Sequence, residues 1–395
     1  MWQKKLLDRW LRTMEVCGFL IRFWDGRVDS YGKGKPKFKL NIKNKKVLGE
    51  ILRQPSIGFG EAYMRGDIEI EGSFEELLKI FHGTGQYTQP NSLLGKVPVF
   101  FTWLKQKNRL GQAQKNISHH YDIGNEFYDL WLGKERMYSC AYFKKPEDSI
   151  DTAQTQKIEH ICKKLFLKKD ETLLDIGCGW GGVIINAAKK YGVKSHGITL
   201  SKEQHAVVTK RISDEGLKDQ VTVEIVDYRE LVKRGIQFDK VVSIGMFEHV
   251  GKENIAEYMK VTDKLMKSGS VGLLHTIGKM HGTMTDAWIQ KYIFPGGYLP
   301  GIDEITTLMA KQSFRLRDVE NLRQHYAMTL DLWLEEFEAN LDSVRKMFDE
   351  DFIRMWRMYL LGSSTGFRYG NLDLWQLQFT KGLRNDLPIT RDYLC

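Results

Sequence analysis

In the second half of the chain, short apolar runs alternate with segments of helical period. Strands are predicted at 172–176, 195–200, 221–226, 238–244 and 271–277, and helices at 180–191, 201–215 and 252–266. An alternation sustained over more than 100 residues predicts a parallel sheet with helices on both faces, a doubly wound α/β domain assigned to 117–395. A long helix near 325–348 and a last strand near 372–380 complete it. Ahead of it, 19–31 and 37–43 read as strands, with helical signals from Lys46 and over 73–81. These make a smaller α/β domain over 1–85. The Gly-, Gln-, Asn- and Ser-rich stretch 86–116 reads as a linker.

The opening residues carry their own pattern. Trp2, Leu6, Trp10, Met14 and Cys17 recur at helical spacing, flanked by Lys4, Lys5, Arg9 and Arg12. That is an amphipathic basic helix, suited to a membrane interface or to docking on its own domain. The apolar segment 93–104 is broken by Lys96 and Pro98 and is too short to span a bilayer.

Charge sharpens the division. Residues 1–116 hold 21 Lys and Arg against 11 Asp and Glu, whereas the remainder holds 38 against 39, so the net charge of +9 belongs to the first segment. Such a patch favours an anionic polymer or surface. Composition excludes disordered and fibrous classes, with 42% hydrophobic residues, 28% charged and only 8 prolines. No apolar stretch is long enough for a transmembrane helix, and Asp8 and Arg9 stand where a secretory leader would be apolar. Five cysteines without a C-x-x-C pair suggest neither a disulfide framework nor a thiolate metal site. A reducing, cytoplasmic setting and no metal are therefore expected.

The first strand runs through Asp175 into Gly177, Gly179, Gly181 and Gly182, and then into a helix. Glycines at that turn let backbone N–H groups approach a ligand at the helix N-terminus. A dinucleotide site wants a carboxylate about 20 residues further on, but the second strand ends in Thr199, Leu200 and Ser201. The D-x-G-x-G-x-G form instead resembles the first motif of the class I S-adenosylmethionine methyltransferases.

Further segments narrow the match. They are Ser118-His119-His120-Tyr121-Asp122-Ile123-Gly124-Asn125-Glu126-Phe127-Tyr128, the run from Met137 to Phe143, Gly245-Met246-Phe247-Glu248-His249-Val250-Gly251, Leu273–Gly278 and Phe294–Pro300. Together they resemble the cyclopropane-fatty-acid-phospholipid synthase family across 117–395. The resemblance implies a Rossmann-like methyltransferase fold and a reaction in which a cis double bond takes the methyl of S-adenosylmethionine, loses a proton and closes a ring. It implies bicarbonate as the base, held by Cys140, Glu248, His275, the N–H of Ile277 and Tyr326. For S-adenosylmethionine it points to Tyr138, Ser139, Asp175, Gly177, Gly179, Thr199, Ser201, Gln204, Tyr228 and Arg229. Tyr228 and Arg229 depart from the family's more usual tryptophan. The aromatic-flanked loop Phe294–Pro300, with Trp288 and Tyr292 before it, is expected to line the acyl entrance.

Short members of the family act on free or carrier-bound chains and longer ones on bilayer phospholipids. The basic N-terminal segment therefore predicts phospholipid acyl chains as substrate, peripheral association with an anionic membrane at the inner face of the cell membrane, and, by family habit, a homodimer. Nucleic acid is not expected as a partner: neither an Asn/Asp-Pro-Pro-Tyr/Phe motif nor a Pro-Cys pair occurs. A small-amine N-methyltransferase would not need the anion-holding set. That N-methyltransferase and a fatty-acid C-methyltransferase of the same family are the alternative readings, with a non-catalytic membrane-binding protein as a third; relatives that methylate and hydroxylate rather than cyclise tend to lack the glutamate at 248.

Overall fold

The computed structural model describes Asp8, Leu11, residues 16–83 and residues 123–394. The expected linker, the apolar segment 93–104 and the motif residues Ser118–Asp122 lie outside these, as does most of the opening helix. Of that helix, Leu11 is buried and Asp8 accepts a hydrogen bond from the Tyr31 hydroxyl at 3.0 Å.

The chain divides into two compact units, and the division does not follow chain order. One unit joins the N-terminal 106 residues to 286–293 and 337–371; the other takes 107–285, 294–336 and 372–395.

In the first unit a four-stranded sheet has the order β2-β1-β3-β4, with β1 at Cys17–Arg22, β2 at Val28–Tyr31, β3 at Lys33–Ile42 and β4 at Ile68–Gly72. Period-two alternation buries Phe19, Ile21, Phe38, Leu40 and Ile42 and leaves Lys37 exposed. The helix Glu350–Tyr369, capped by Asp349, belongs here: it buries Ile353, Trp356 and Leu360, and Arg354 donates to the Ile68 carbonyl at 2.6 Å. Trp288 sits against Gly60, where a Cβ would lie 2.3 Å from its ring. The sequence reading places both later segments with the second domain. A helical apolar stripe announces that it needs a partner without saying which sheet supplies it.

The second unit carries a seven-stranded sheet in the order β12-β13-β9-β8-β5-β6-β7. Its strands are β5 (Thr172–Ile176), β6 (Lys194–Thr199), β7 (Val221–Ile225), β8 (Phe238–Ile244), β9 (Met266–Gly278), β12 (Phe314–Asn321) and β13 (Asp373–Lys381). The short strands β10 (Thr283–Met284) and β11 (Tyr298–Leu299) pair apart from it. The five strands from β5 to β9 are mutually parallel, as the alternation predicts, and β13 runs against both its neighbours. The doubly wound α/β fold is thus borne out, with an antiparallel margin that the parallel reading did not contain. The strand order reverses between β5 and β8, which places a ligand crevice at their carboxyl ends. Among the described residues no helix is long and apolar enough to cross a membrane.

Candidate active site

β5 ends at Ile176, and the next turn is held by two backbone bonds at 3.0 Å, from the Gly177 and Cys178 N–H groups to the Ile198 carbonyl. Gly177, Gly179 and Gly181 have φ of +89°, +56° and +83°, a region L side chains rarely adopt. At Gly177 a Cβ would also meet Met246 at 2.8 Å, whereas nothing stands within 4 Å of one built at Gly179. The helix Gly182–Tyr191 follows directly, so its N-terminal N–H groups border the turn. Asp175 is buried with one carboxylate oxygen unpartnered, and burial raises its pKa despite the nearby Lys157.

After β6, Thr199 donates to the Gln204 side-chain oxygen at 2.8 Å and accepts from the Ser201 N–H at 3.1 Å, while Ser201 caps the next helix through the Gln204 N–H. Three neutral groups form a closed set at the end of β6, where a dinucleotide site would carry a carboxylate. Tyr228 is buried with its hydroxyl unpartnered, and Arg229 is clasped by Asp227 through two bonds at 2.8 Å. Arg229 thus has its guanidinium committed within the protein.

Helix Ile150–Leu165 positions the segment carrying Tyr138, Ser139 and Cys140. Gln154 donates to the Met137 and Ser139 carbonyls at 3.1 and 3.0 Å, and the fully buried Lys157 ammonium donates to the Ser139 hydroxyl at 2.8 Å. Desolvation holds the Lys157 pKa well below that of an ordinary lysine. From the other side, Thr329 accepts the Ala141 N–H at 3.0 Å and His325 accepts the Phe143 N–H at 3.0 Å. The Cys140 thiol lies 3.2 Å from its neighbour's carbonyl and 3.8 Å from that of Leu322, and burial raises its pKa, so it is a protonated donor and not a thiolate. Leu322 also accepts the Tyr326 N–H at 3.1 Å, which ties Tyr326 to the Cys140 segment.

Glu248 lies just past β8, in a short 3₁₀ turn. Its carboxylate accepts from the Thr276 hydroxyl at 2.8 Å and from the Ile277 N–H at 3.5 Å, and burial pushes its pKa up to about 7. A Cβ built at Gly245 would lie 3.7 Å from Ser139 Cβ and 4.0 Å from both a Glu248 oxygen and the Tyr138 carbonyl. The segments carrying Ser139 and Glu248 therefore meet at Gly245, whose N–H binds the His275 carbonyl at 2.9 Å. His275 has no exposure, is held neutral by burial, keeps Nε2 unpartnered and has Nδ1 3.2 Å from the Gln376 amide nitrogen.

Residues singled out by sequence thus fall into three joined groups: Glu248, His275 and Ile277; Tyr138, Ser139, Cys140 and Tyr326; and the cofactor loop with Thr199, Ser201 and Gln204. Sequence reasoning missed Lys157, Thr276, Gln376 and an aromatic cluster in which Tyr138 lies 5.4 Å from both Trp131 and Trp333, with Tyr128 5.2 Å from Trp180. The apolar Trp131, at helical distance from Phe127 and Tyr128, was the available signal. Trp288 is buried in the first unit, and Tyr292 donates to Glu61 at 2.9 Å.

The set fits S-adenosylmethionine. The open glycine turn admits a ligand against backbone N–H groups, Asp175 and Tyr228 keep unpartnered polar atoms, and the aromatic cluster between cofactor segments suits a sulfonium. It also offers a small anion the spare ring nitrogen of the buried, neutral His275, whereas the Ile277 N–H that the resemblance assigns to that anion is turned to the Glu248 carboxylate at 3.5 Å.

Residues 108–377 match the mycolic acid cyclopropane synthetase family, and residues 6–93 match a domain of unknown function, DUF7884. The chain is 35% identical over 359 residues to the cyclopropane-fatty-acyl-phospholipid synthase of Escherichia coli K12, covering 91% of this chain and 92% of that one. It is also 35% identical over 387 residues to a probable fatty acid methyltransferase of Pseudomonas putida, covering 94% and 95%. Among solved structures, the mycolic acid cyclopropane synthase CmaA1 complexed with SAH and CTAB superposes with a TM-score of 0.64 at 33% identity, over 68% of this chain and 98% of that one. Coclaurine N-methyltransferase, at 18% identity and a TM-score of 0.67 over 82% of this chain and 99% of that one, shares the fold. With its glycine turn, its strand order and this similarity, the chain belongs to the mycolic acid cyclopropane synthetase family of S-adenosylmethionine-dependent methyltransferases.

Proposed function

We propose that this protein adds a methylene from S-adenosylmethionine across the cis double bond of phospholipid acyl chains, with bound hydrogencarbonate as the base. The observation that carries this reading is the pairing of a carboxylate fixed by Thr276 and Ile277 with a neutral, buried His275 whose Nε2 has no protein partner.

An alkene is a poor nucleophile, so the sulfonium methyl has to be aligned with it where water is excluded. The alkene π electrons form the new C–C bond as the methyl–sulfur bond breaks, leaving a carbocation. Removal of one proton from the transferred methyl lets that C–H pair close the ring. Bound hydrogencarbonate would supply the base for this step. Glu248 would accept the hydroxyl proton of that anion, His275 and Tyr326 would donate to its oxygens, and the aromatic cluster would steady positive charge. Keeping His275 uncharged matters, since an imidazolium would lower the basicity of the anion it held.

The N-terminal unit supports a bilayer substrate. The similarity to the Escherichia coli synthase spans 91% of the chain, so it includes this unit, and Lys33, Lys35 and Lys37 are exposed on β3. We place the protein at the inner face of the cell membrane, bound peripherally, and as a homodimer.

A second reading, fatty-acid C-methylation, is favoured by the Pseudomonas putida relative. Incubation with S-adenosylmethionine and monounsaturated phospholipid vesicles, then mass spectrometry and proton NMR of the released fatty acids, separates the two. The proposal expects a chain heavier by one CH₂ with ring methylene protons. A methyl branch instead establishes the second reading.

A further inference from the structure

His275 on β9 stands directly opposite Gln376 on β13, which stands opposite Glu320 on β12, so the three form one row across three strands. Helix Ile150–Leu165 meets the outer end of this row. Glu320 accepts from His160 at 2.8 Å and from the buried Lys164 at 2.6 Å. That carboxylate oxygen already has two donors, and the Gln376 amide is instead 3.2 Å from His275 Nδ1 with its own oxygen unpartnered.

The imidazole is wholly buried, and the charges acting on it include Lys157 and Lys164, which oppose a proton, against Glu320. It is therefore neutral and has a single ring proton to place. If the amide N–H₂ donates to Nδ1, that proton must sit on Nε2, the nitrogen without a protein partner. If the amide were reversed, its oxygen would accept from Nδ1–H and Nε2 would show a lone pair, which repels an anion. Resting on the anion reading above, we propose that Gln376 is a positioning residue that locks His275 in its Nε2–H tautomer, making the ring a neutral donor to the anion that removes the proton. Gln376 touches neither substrate nor cofactor in this assignment, and acts only by where it puts a proton.

The test uses the full-length protein with ¹⁵N-labelled histidine, reading the tautomer from long-range ¹H–¹⁵N correlations, the His275 signals being assigned by their loss in His275→Asn. The wild type is expected to show Nε2–H. Gln376→Glu, whose carboxylate accepts from Nδ1–H, is expected to show the opposite tautomer, and Gln376→Leu a mixture. With the tautomer inverted, kcat should fall roughly 100-fold while the dissociation constant of S-adenosylmethionine stays within about twofold. An Nδ1–H wild type overturns the proposal whatever the kinetics, as does an Nε2–H signal undisturbed in Gln376→Leu. If Gln376→Glu does not fold, the wild-type and Gln376→Leu spectra still decide. Turnover independent of hydrogencarbonate would overturn the anion reading while leaving the tautomer assignment standing, so the two failures are distinct.

Discussion

The Thr276 hydroxyl donates to the Glu248 carboxylate across 2.8 Å, and the N–H of the next residue, Ile277, reaches the same carboxylate at 3.5 Å. A buried carboxylate held from β9 keeps a fixed direction, which the proposed acceptance of a proton from a bound anion requires. Glu248→Gln preserves the shape and removes the charge. We predict a fall in kcat of roughly 100-fold or more, with S-adenosylmethionine affinity changed less than about threefold. Thr276→Val leaves the carboxylate one donor short and should lower kcat about tenfold, the scale of one buried hydrogen bond to a charged group. Steady-state kinetics with equilibrium binding by calorimetry checks both; a parallel loss of affinity would place Glu248 at the cofactor instead.

Burial raises the Glu248 pKa to about 7. Because the carboxylate form is the one that accepts, kcat should rise with pH through about 7, and Glu248→Gln should lose that limb. The stability effect has the opposite sign. A carboxyl whose pKa is raised on folding contributes stability that is full below its unfolded pKa, near 4.5, and is lost as pH climbs through about 7. Glu248→Gln should therefore melt higher than wild type at pH 8, by something on the order of 1 kcal/mol, and show no such gain at pH 4. Calorimetry at the two pH values measures it.

Gly177 combines a φ of +89° with a Cβ position 2.8 Å from Met246. If this turn holds the cofactor as proposed, Gly177→Ala should strain it and weaken S-adenosylmethionine binding about tenfold, from roughly 1–2 kcal/mol of left-handed strain. Gly216, at φ +68° with nothing within 4 Å of a Cβ, serves as the control. Gly216→Ala should leave that affinity within about twofold, and equal losses in the two variants would deny the turn a special role.

The exposed lysines of β3 predict vesicle attachment that depends on charge. At about 1 kcal/mol per basic residue near an anionic surface, replacing Lys33, Lys35 and Lys37 by Gln should cut binding to anionic vesicles about 100-fold at low salt. Flotation at low and high salt tests this. Binding indifferent to salt, or equal on zwitterionic vesicles, would remove the membrane role from this face.

What the sequence made legible follows from how local each signal is. The glycine turn after β5 could be read because one strand, one turn and one helix N-terminus carry it entirely. Strand β12 could not, because its alternation is inverted: Leu316 and Val319 are 41% and 37% exposed, while Asp318 is buried beside Lys164 and Arg391. A bulge between Leu316 and Asp318 shifts the register that a regular pattern would have shown. Lys157 escaped notice because a lysine in a helix normally faces water, and its burial follows from the Ser139 hydroxyl brought there from outside its helix. Gln376 was hidden for a related reason. Its role arises from a cross-strand register between residues 101 positions apart.

Hydrogencarbonate dependence of ring formation bears most directly on the account. The protein is freed of dissolved carbon dioxide under inert gas, mixed with S-adenosylmethionine and monounsaturated phospholipid vesicles, and the fatty acids are analysed with and without added hydrogencarbonate. We predict that the product heavier by one CH₂ nearly disappears on depletion and returns on addition in wild type, and that the return is lost in Glu248→Gln. Undiminished ring formation in the depleted buffer would contradict the assignment of a captured anion as the base.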